Sequence, residues 1–178
     1  MGITKLISRS TASGATAVAI TSGIDSTYDE YMFVCTDLDD SANTGFQFQV
    51  NASGQSGYNE TITSTYFEEN HAEDDGTAEI AYVASGDQAQ GTADQRLTQA
   101  IGNDADNSGV VVLHLFSPSN TTYAKHFYGR SSIHYGTAGN ASSSFFAGYI
   151  NVTAAITDIQ FEFASGTFSG VIQMYGIA

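Results

Sequence analysis

Four histidines are the residues best suited to move a proton or hold a metal: His71, His114, His126 and His134. His114 lies in the apolar run Val110-Val111-Val112-Leu113-His114-Leu115-Phe116, on the same alternate positions as Val110, Val112 and Phe116. That setting favours a hydrogen-bonded histidine within or beside the core over a catalytic base. His126, in Lys125-His126-Phe127-Tyr128, and His134, in Ile133-His134-Tyr135, are expected to meet across adjacent strands. Without a placed carboxylate they fall short of the roughly three or four protein ligands of a zinc site.

Carboxylates are the second source of chemistry. The segment Glu68-Glu69-Asn70-His71-Ala72-Glu73-Asp74-Asp75-Gly76 is crowded with acids and reads as a solvated loop. Asn103-Asp104-Ala105-Asp106-Asn107-Ser108-Gly109 alternates carboxylates with amides ahead of a glycine. Such loops present oxygen to calcium, so Asp104 and Asp106 are the metal candidates, although the terminal bidentate Glu of an EF-hand is missing. An ordinary polar turn is the simpler reading, and no cofactor is expected otherwise. Paired carboxylates also suit glycoside hydrolysis, but the chain has no tryptophan to build a sugar platform. A nucleophile elbow, a phosphate-binding loop and a dinucleotide fingerprint are all absent from the sequence. The expectation is a protein without catalytic machinery.

Charge narrows the partners. Nineteen acidic side chains face five basic ones, for a net charge of -14. Lys5, Arg9, Arg96, Lys125 and Arg130 are scattered, so the basic patch that nucleic acid requires is missing. Negative charge also repels anionic membranes, and no apolar stretch approaches the ~20 residues of a membrane span. The single cysteine, Cys35, sits in Tyr31-Met32-Phe33-Val34-Cys35, where a buried inert thiol is expected. Met1 to Ser8 lacks the apolar region of a signal peptide, and Leu6 breaks the myristoylation pattern. Synthesis in a cytoplasm without export by the standard route follows as an expectation. The sequons at Asn51, Asn59, Asn120, Asn140 and Asn151 then reflect composition rather than glycosylation.

The elements that must position these groups are strands. Phe46-Gln47-Phe48-Gln49-Val50-Asn51 and Ile159-Gln160-Phe161-Glu162-Phe163 alternate apolar and polar residues, the pattern of half-buried antiparallel strands. Further strands are predicted at Thr4–Ser10, Ala15–Thr21, Tyr28–Leu38, Glu60–Glu68, Ala78–Ala84, Val110–Phe116, Tyr123–Tyr128 and Phe145–Asn151. Gly166 is placed to turn a terminal hairpin of Ile156–Phe163 with Phe168–Ile177. The one helical candidate is Thr92–Ala100. Gly, Ser, Asn and Asp punctuate the rest, with Pro118 in a turn. The reading is all-β: a single antiparallel β-sandwich domain over residues 1–178, jelly-roll-like, with about ten strands and little helix. Ten tyrosines and eleven phenylalanines supply its core. In Phe145-Phe146-Ala147-Gly148-Tyr149 and Tyr123–Tyr128 apolar residues occupy both strand faces. That predicts either a subunit contact or a central strand covered on both sides by its own chain.

Four segments are distinctive: Ser22-Gly23-Ile24-Asp25-Ser26-Thr27-Tyr28-Asp29-Glu30-Tyr31-Met32-Phe33; Gly57 to Phe67; Leu113 to Tyr123 followed by Lys125-His126-Phe127-Tyr128; and Gly170 to Ile177. From about Lys5 to Ile177 the chain resembles small virion structural proteins of tailed phages of marine bacteria, such as cyanophages. The resemblance implies a non-enzymatic capsid decoration, fibre or tail-associated protein in the virion. It implies synthesis in the host cytoplasm and assembly with other virion proteins and with itself, as a homo-oligomer, by expectation a trimer. It transfers no functional residue. The alternative is a carbohydrate-binding adhesin module recognising a host surface glycan through Tyr, Asn and Asp of the loops Asn51–Asn59 and Asp104–Gly109.

Overall fold

The computed structural model describes residues 4–136 and 139–178. Met1–Ile3, on which the leader and myristoylation readings partly rest, lie outside the described residues. Thirteen antiparallel strands and no helix occur among those described: β1 Thr4–Ala15, β2 Ala17–Ile20, β3 Glu30–Asp40, β4 Gly45–Ala52, β5 Ile62–Ala72, β6 Ala78–Tyr82, β7 Ala89–Gly91, β8 Gln95–Ala100, β9 Gly109–Phe116, β10 Lys125–Tyr135, β11 Asn140–Ile150, β12 Ile156–Phe163 and β13 Phe168–Ile177. They form an open two-sheet sandwich. The large sheet runs β1-β13-β3-β9-β10-β11-β5-β6, with β7 also on β5, and the small sheet runs β2-β12-β4-β8. The all-β, jelly-roll-like expectation holds.

Alternation explains the layers. Phe46, Phe48 and Val50 of β4, with Ile159, Phe161 and Phe163 of β12, turn inward from the small sheet. Tyr31, Phe33 and Cys35 of β3, Val111, Leu113 and Leu115 of β9, and Ile172 and Met174 of β13 meet them from the large one. Phe161 lies at the centre, 5.5 Å from Phe33 and 5.8 Å from Phe46 between ring centroids. Such aromatic pairs add about 0.5–1.5 kcal/mol each to the area they bury. Cys35 is a free, fully buried thiol, and burial pushes its pKa well above the ordinary value.

Two residue pairs of one ladder rely on glycine. Phe127 of β10 faces Gly148 of β11, and Gly129 faces Phe146. A Cβ on Gly129 would sit 2.5 Å from the Phe146 ring, and one on Gly148 would sit 2.8 Å from Phe127. Each ring therefore lies across the bare backbone of its partner, keeping the inner face of this ladder closed.

Three expectations fail here. The segment Thr92–Ala100 carries no helix: Gln95–Ala100 is β8, the edge of the small sheet, paired with β4 and burying Leu97. The predicted terminal hairpin is not a pair: Gly166 does turn the chain with a φ of 82°, but β12 belongs to the small sheet and β13 to the large one. Crossing between sheets lets Phe163 and Phe168 both enter the core, 5.5 Å apart, which neighbours in one sheet would not need. The acidic segment is mostly strand, since β5 continues to Ala72 and Glu68 turns inward beside Asn70 and Gln99.

Candidate functional site

The residues singled out for chemistry are dispersed. His126 and His134 lie on the same strand, β10, eight positions apart, not on adjacent strands. At ~3.3 Å per residue they are about 26 Å from each other. His126 neighbours Tyr149, while His134 bonds Asn107 through Nδ1. His71 sits 3.4 Å from Asp75, and His114 Nδ1 lies 2.6 Å from Glu30 Oε1. Asp104 and Asp106 are exposed in the turn before β9. The Asp104 carbonyl accepts the Asn107 N–H, and the Asn107 side chain turns inward to His134 and Gly136. That amide is thus directed away from the two carboxylates. Among the described residues no three His, Cys, Asp or Glu side chains are placed to share a metal ion.

The two loops proposed for glycan contact cannot form one site. Asn51–Asn59 lies at the end of the sandwich where β5 begins, and Asp104–Gly109 at the end where β5 finishes. Asn51 itself is committed, its Oδ1 accepting the Tyr58 N–H at 2.8 Å.

What the fold does assemble is a surface. On the outer face of the large sheet, register aligns one row of side chains from β1 to β6: Arg9, Gln173, Val34, Val112, Arg130, Phe145, Phe67 and Tyr82. Two residues along each strand, or three on β1 across its register shift, comes a second row: Leu6, Tyr175, Met32, His114, Tyr128, Ala147 and Thr65. Neither row contains a carboxylate, in a chain of net charge -14. Leu6, Phe67, Ile80, Tyr82, Val110 and Tyr128 are all well exposed, and all belong to this face. Glu30, beside His114, and Glu69, opposite Ile80, share the face with them.

The rings have a definite posture. Tyr128 stacks on His114 at 4.9 Å with planes 17° apart, and Phe116 lies 5.4 Å from Tyr128. Phe67 and Phe145 stack at 5.0 Å and 7°, with the Arg130 guanidinium 4.7 Å over Phe145. These separations match the ~4.8 Å between strands, so each ring stands upright and covers its neighbour's face. Ring edges, not ring faces, meet the solvent.

At one end of this face the loop after β9 forms a notch of about 420 Å³ lined by Phe116, Ser117, Asn120, Tyr123 and His126. The loop is held rigidly. Asn120 Oδ1 accepts the N–H groups of Thr122 and Tyr123, and Tyr123 is 70% exposed. Beneath it, the buried Lys125 ammonium donates to the carbonyls of Tyr123, Val152, Thr153 and Ala154 at 2.9 to 3.1 Å. Burial lowers the pKa of this amine. Lys125 thereby ties the segment after β11 to the start of β10, a role its sequence context did not announce.

The outer face of the small sheet is different. Gln47 Nε2 lies between Asp94 Oδ2 and Glu162 Oε1, at 3.3 and 3.4 Å, and Gln160 Nε2 donates to Glu162 at 2.8 Å. Burial, then the charge of Glu162, pushes the Asp94 carboxyl up to about 6.

No protein-family model and no curated protein matches this chain. A Bacteroides ovatus protein of unknown function aligns with 62% of it at 5% identity and a TM-score of 0.32, and the chain spans 45% of that protein's length. CG-16, a homodimeric agglutinin from chicken liver, aligns at 13% identity over 89% of this chain and 98% of its own, with a TM-score of 0.35. The infectious bursal disease virus Gt strain structure gives 14% identity, 99% and 37% coverage, and a TM-score of 0.16. Likenesses this loose carry no argument about function.

Proposed function

We propose that this chain is a non-enzymatic structural component of a tailed-phage virion, made in the host cytoplasm and working through surface contact. It assembles with copies of itself, by expectation as a trimer, and with other virion proteins as a capsid decoration, fibre or tail-associated part. The observation that carries this reading is the outer face of the large sheet, where exposed rings and aliphatic side chains gather and β1, β13, β9, β10 and β11 contribute no carboxylate, on an otherwise acidic protein. A lone acidic domain gains solubility from carboxylates on every face, and this one confines those of its broadest face to β3 and β5, among them Glu30 and Glu69. Immunodetection of the chain in gradient-purified particles tests the reading. Presence at a fixed copy number per particle is expected, and absence from particles overturns it.

The notch favours a second reading, an adhesin module that holds a host glycan. Tyr123, Phe116 and His126 would supply apolar contact, with Ser117 and Asn120 as hydrogen-bonding groups. A glycan array run with and without calcium decides it: a binder whose signal disappears in Tyr123→Ala supports the module, and an empty array removes it.

A further inference from the structure

Resting on the virion reading, we infer that the outer face of the large sheet is the docking surface for a second copy of this chain, centred on Tyr128, His114 and Val112. Like charge is the first reason. Two copies of net charge -14 repel, and β1, β13, β9, β10 and β11 of the large sheet contain no carboxylate. The two central rows hold no carboxylate, and Glu30, bonded to His114, and Glu69, opposite Ile80, flank them on either side. Burying uncharged rings there removes apolar surface from water, while Glu30 keeps its His114 partner at the margin.

Size is the second reason. The face spans seven strand-to-strand steps from β1 to β6. At ~4.8 Å per step and ~20 Å along the strands its footprint is about 700 Å². A standard stable interface takes about 800 Å² from each partner.

The edges are the third. An open sandwich can also add a strand at its margins, but these margins are guarded. The β1 edge is bent by two register shifts and carries Lys5 and Arg9. At the far edge β6 has five residues, and in the small sheet β2 has four. The β8 edge is shifted in register and carries Arg96. Self-association is thereby directed to the face.

The test is the molar mass of the purified full chain against concentration, by light scattering, at low and high sodium chloride. Association is expected, and it strengthens with salt because salt screens repulsion between acidic copies and leaves apolar burial intact. Val110→Asp and Tyr128→Glu change half-exposed positions, so the fold is expected to survive, which thermal unfolding verifies. Each weakens association by about 30-fold or more. Ala19→Asp, on the outer face of the small sheet, leaves it unchanged. A chain that is monomeric throughout, an association that salt dissolves, or equal association of all variants overturns the inference. Particle incorporation separates this from the virion reading. If the wild type is monomeric yet Tyr128→Glu alone is lost from particles, another virion protein occupies the face: the inference falls and the virion reading stands. If the chain pairs through this face but is absent from particles, the reverse holds.

Discussion

The two outer faces of the sandwich solve the same problem in opposite ways. Behind each lies the same apolar core, so neither needs apolar residues on its solvent side to fold. On the small sheet, Gln47, Gln160, Glu162 and Asp94 bond to one another. On the large sheet, rings stack on rings across strands and leave their edges exposed. The difference teaches that the fold does not draw on the large-sheet rings, which pack on one another at the surface rather than in the core.

Breaking the shared core has the largest effect. Phe161→Ala removes a fully buried ring packed on Phe33, Phe46 and Phe48. It is expected to cost about 3–5 kcal/mol in denaturant unfolding. Lys125→Met comes next. It leaves the carbonyls of Val152, Thr153 and Ala154 without their donor. A loss of about 2 kcal/mol is expected, with faster amide exchange in the segment after β11.

The polar face carries a pH signature. Asp94 is held at about 6, above its ordinary 3.8. A raised carboxyl favours the fold when protonated, so its contribution is full below an ordinary carboxylate pKa and is lost as pH rises toward and through about 6. Asp94→Asn is expected to flatten stability across that window. It gains roughly 1 kcal/mol at neutral pH, once solvent screening of this half-exposed pair is discounted. A profile unchanged by the substitution would mean that burial and Glu162 do not hold Asp94 above its ordinary value.

The smallest effect sharpens the comparison most. Tyr128→Ala is expected to change the stability of the isolated chain by no more than about 0.5 kcal/mol. A loss near that of Phe161→Ala would place the outer rings in the service of the fold and collapse the contrast.

Much of this was legible in the residues. Period-two alternation in Phe46–Asn51 and Ile159–Phe163 marked which side chains face inward, and both segments are strands of the small sheet. The apolar positions of Phe145 and Tyr128 showed that some strands are apolar on both sides. The candidate surface itself was not legible, because Phe67, Tyr82 and Leu6 join it only through register with distant strands. Gln95–Ala100 was misread because Gln, Arg, Leu and Ala are good helix formers, and propensity is a weak prior beside a strand partner.

The sequence by itself determined the class of fold, the inward face of most strands, the inert cysteine and the acidic surface. All of these depend on composition or on near neighbours along the chain. Tertiary structure decided the rest: which sheet each strand joins, that β12 and β13 part at Gly166, that His126 and His134 stand apart, and that Lys125 sits among four carbonyls. Those outcomes depend on pairings between residues far apart in the chain. Alternation fixes which side a residue faces, but it carries no information about which strand will lie beside it.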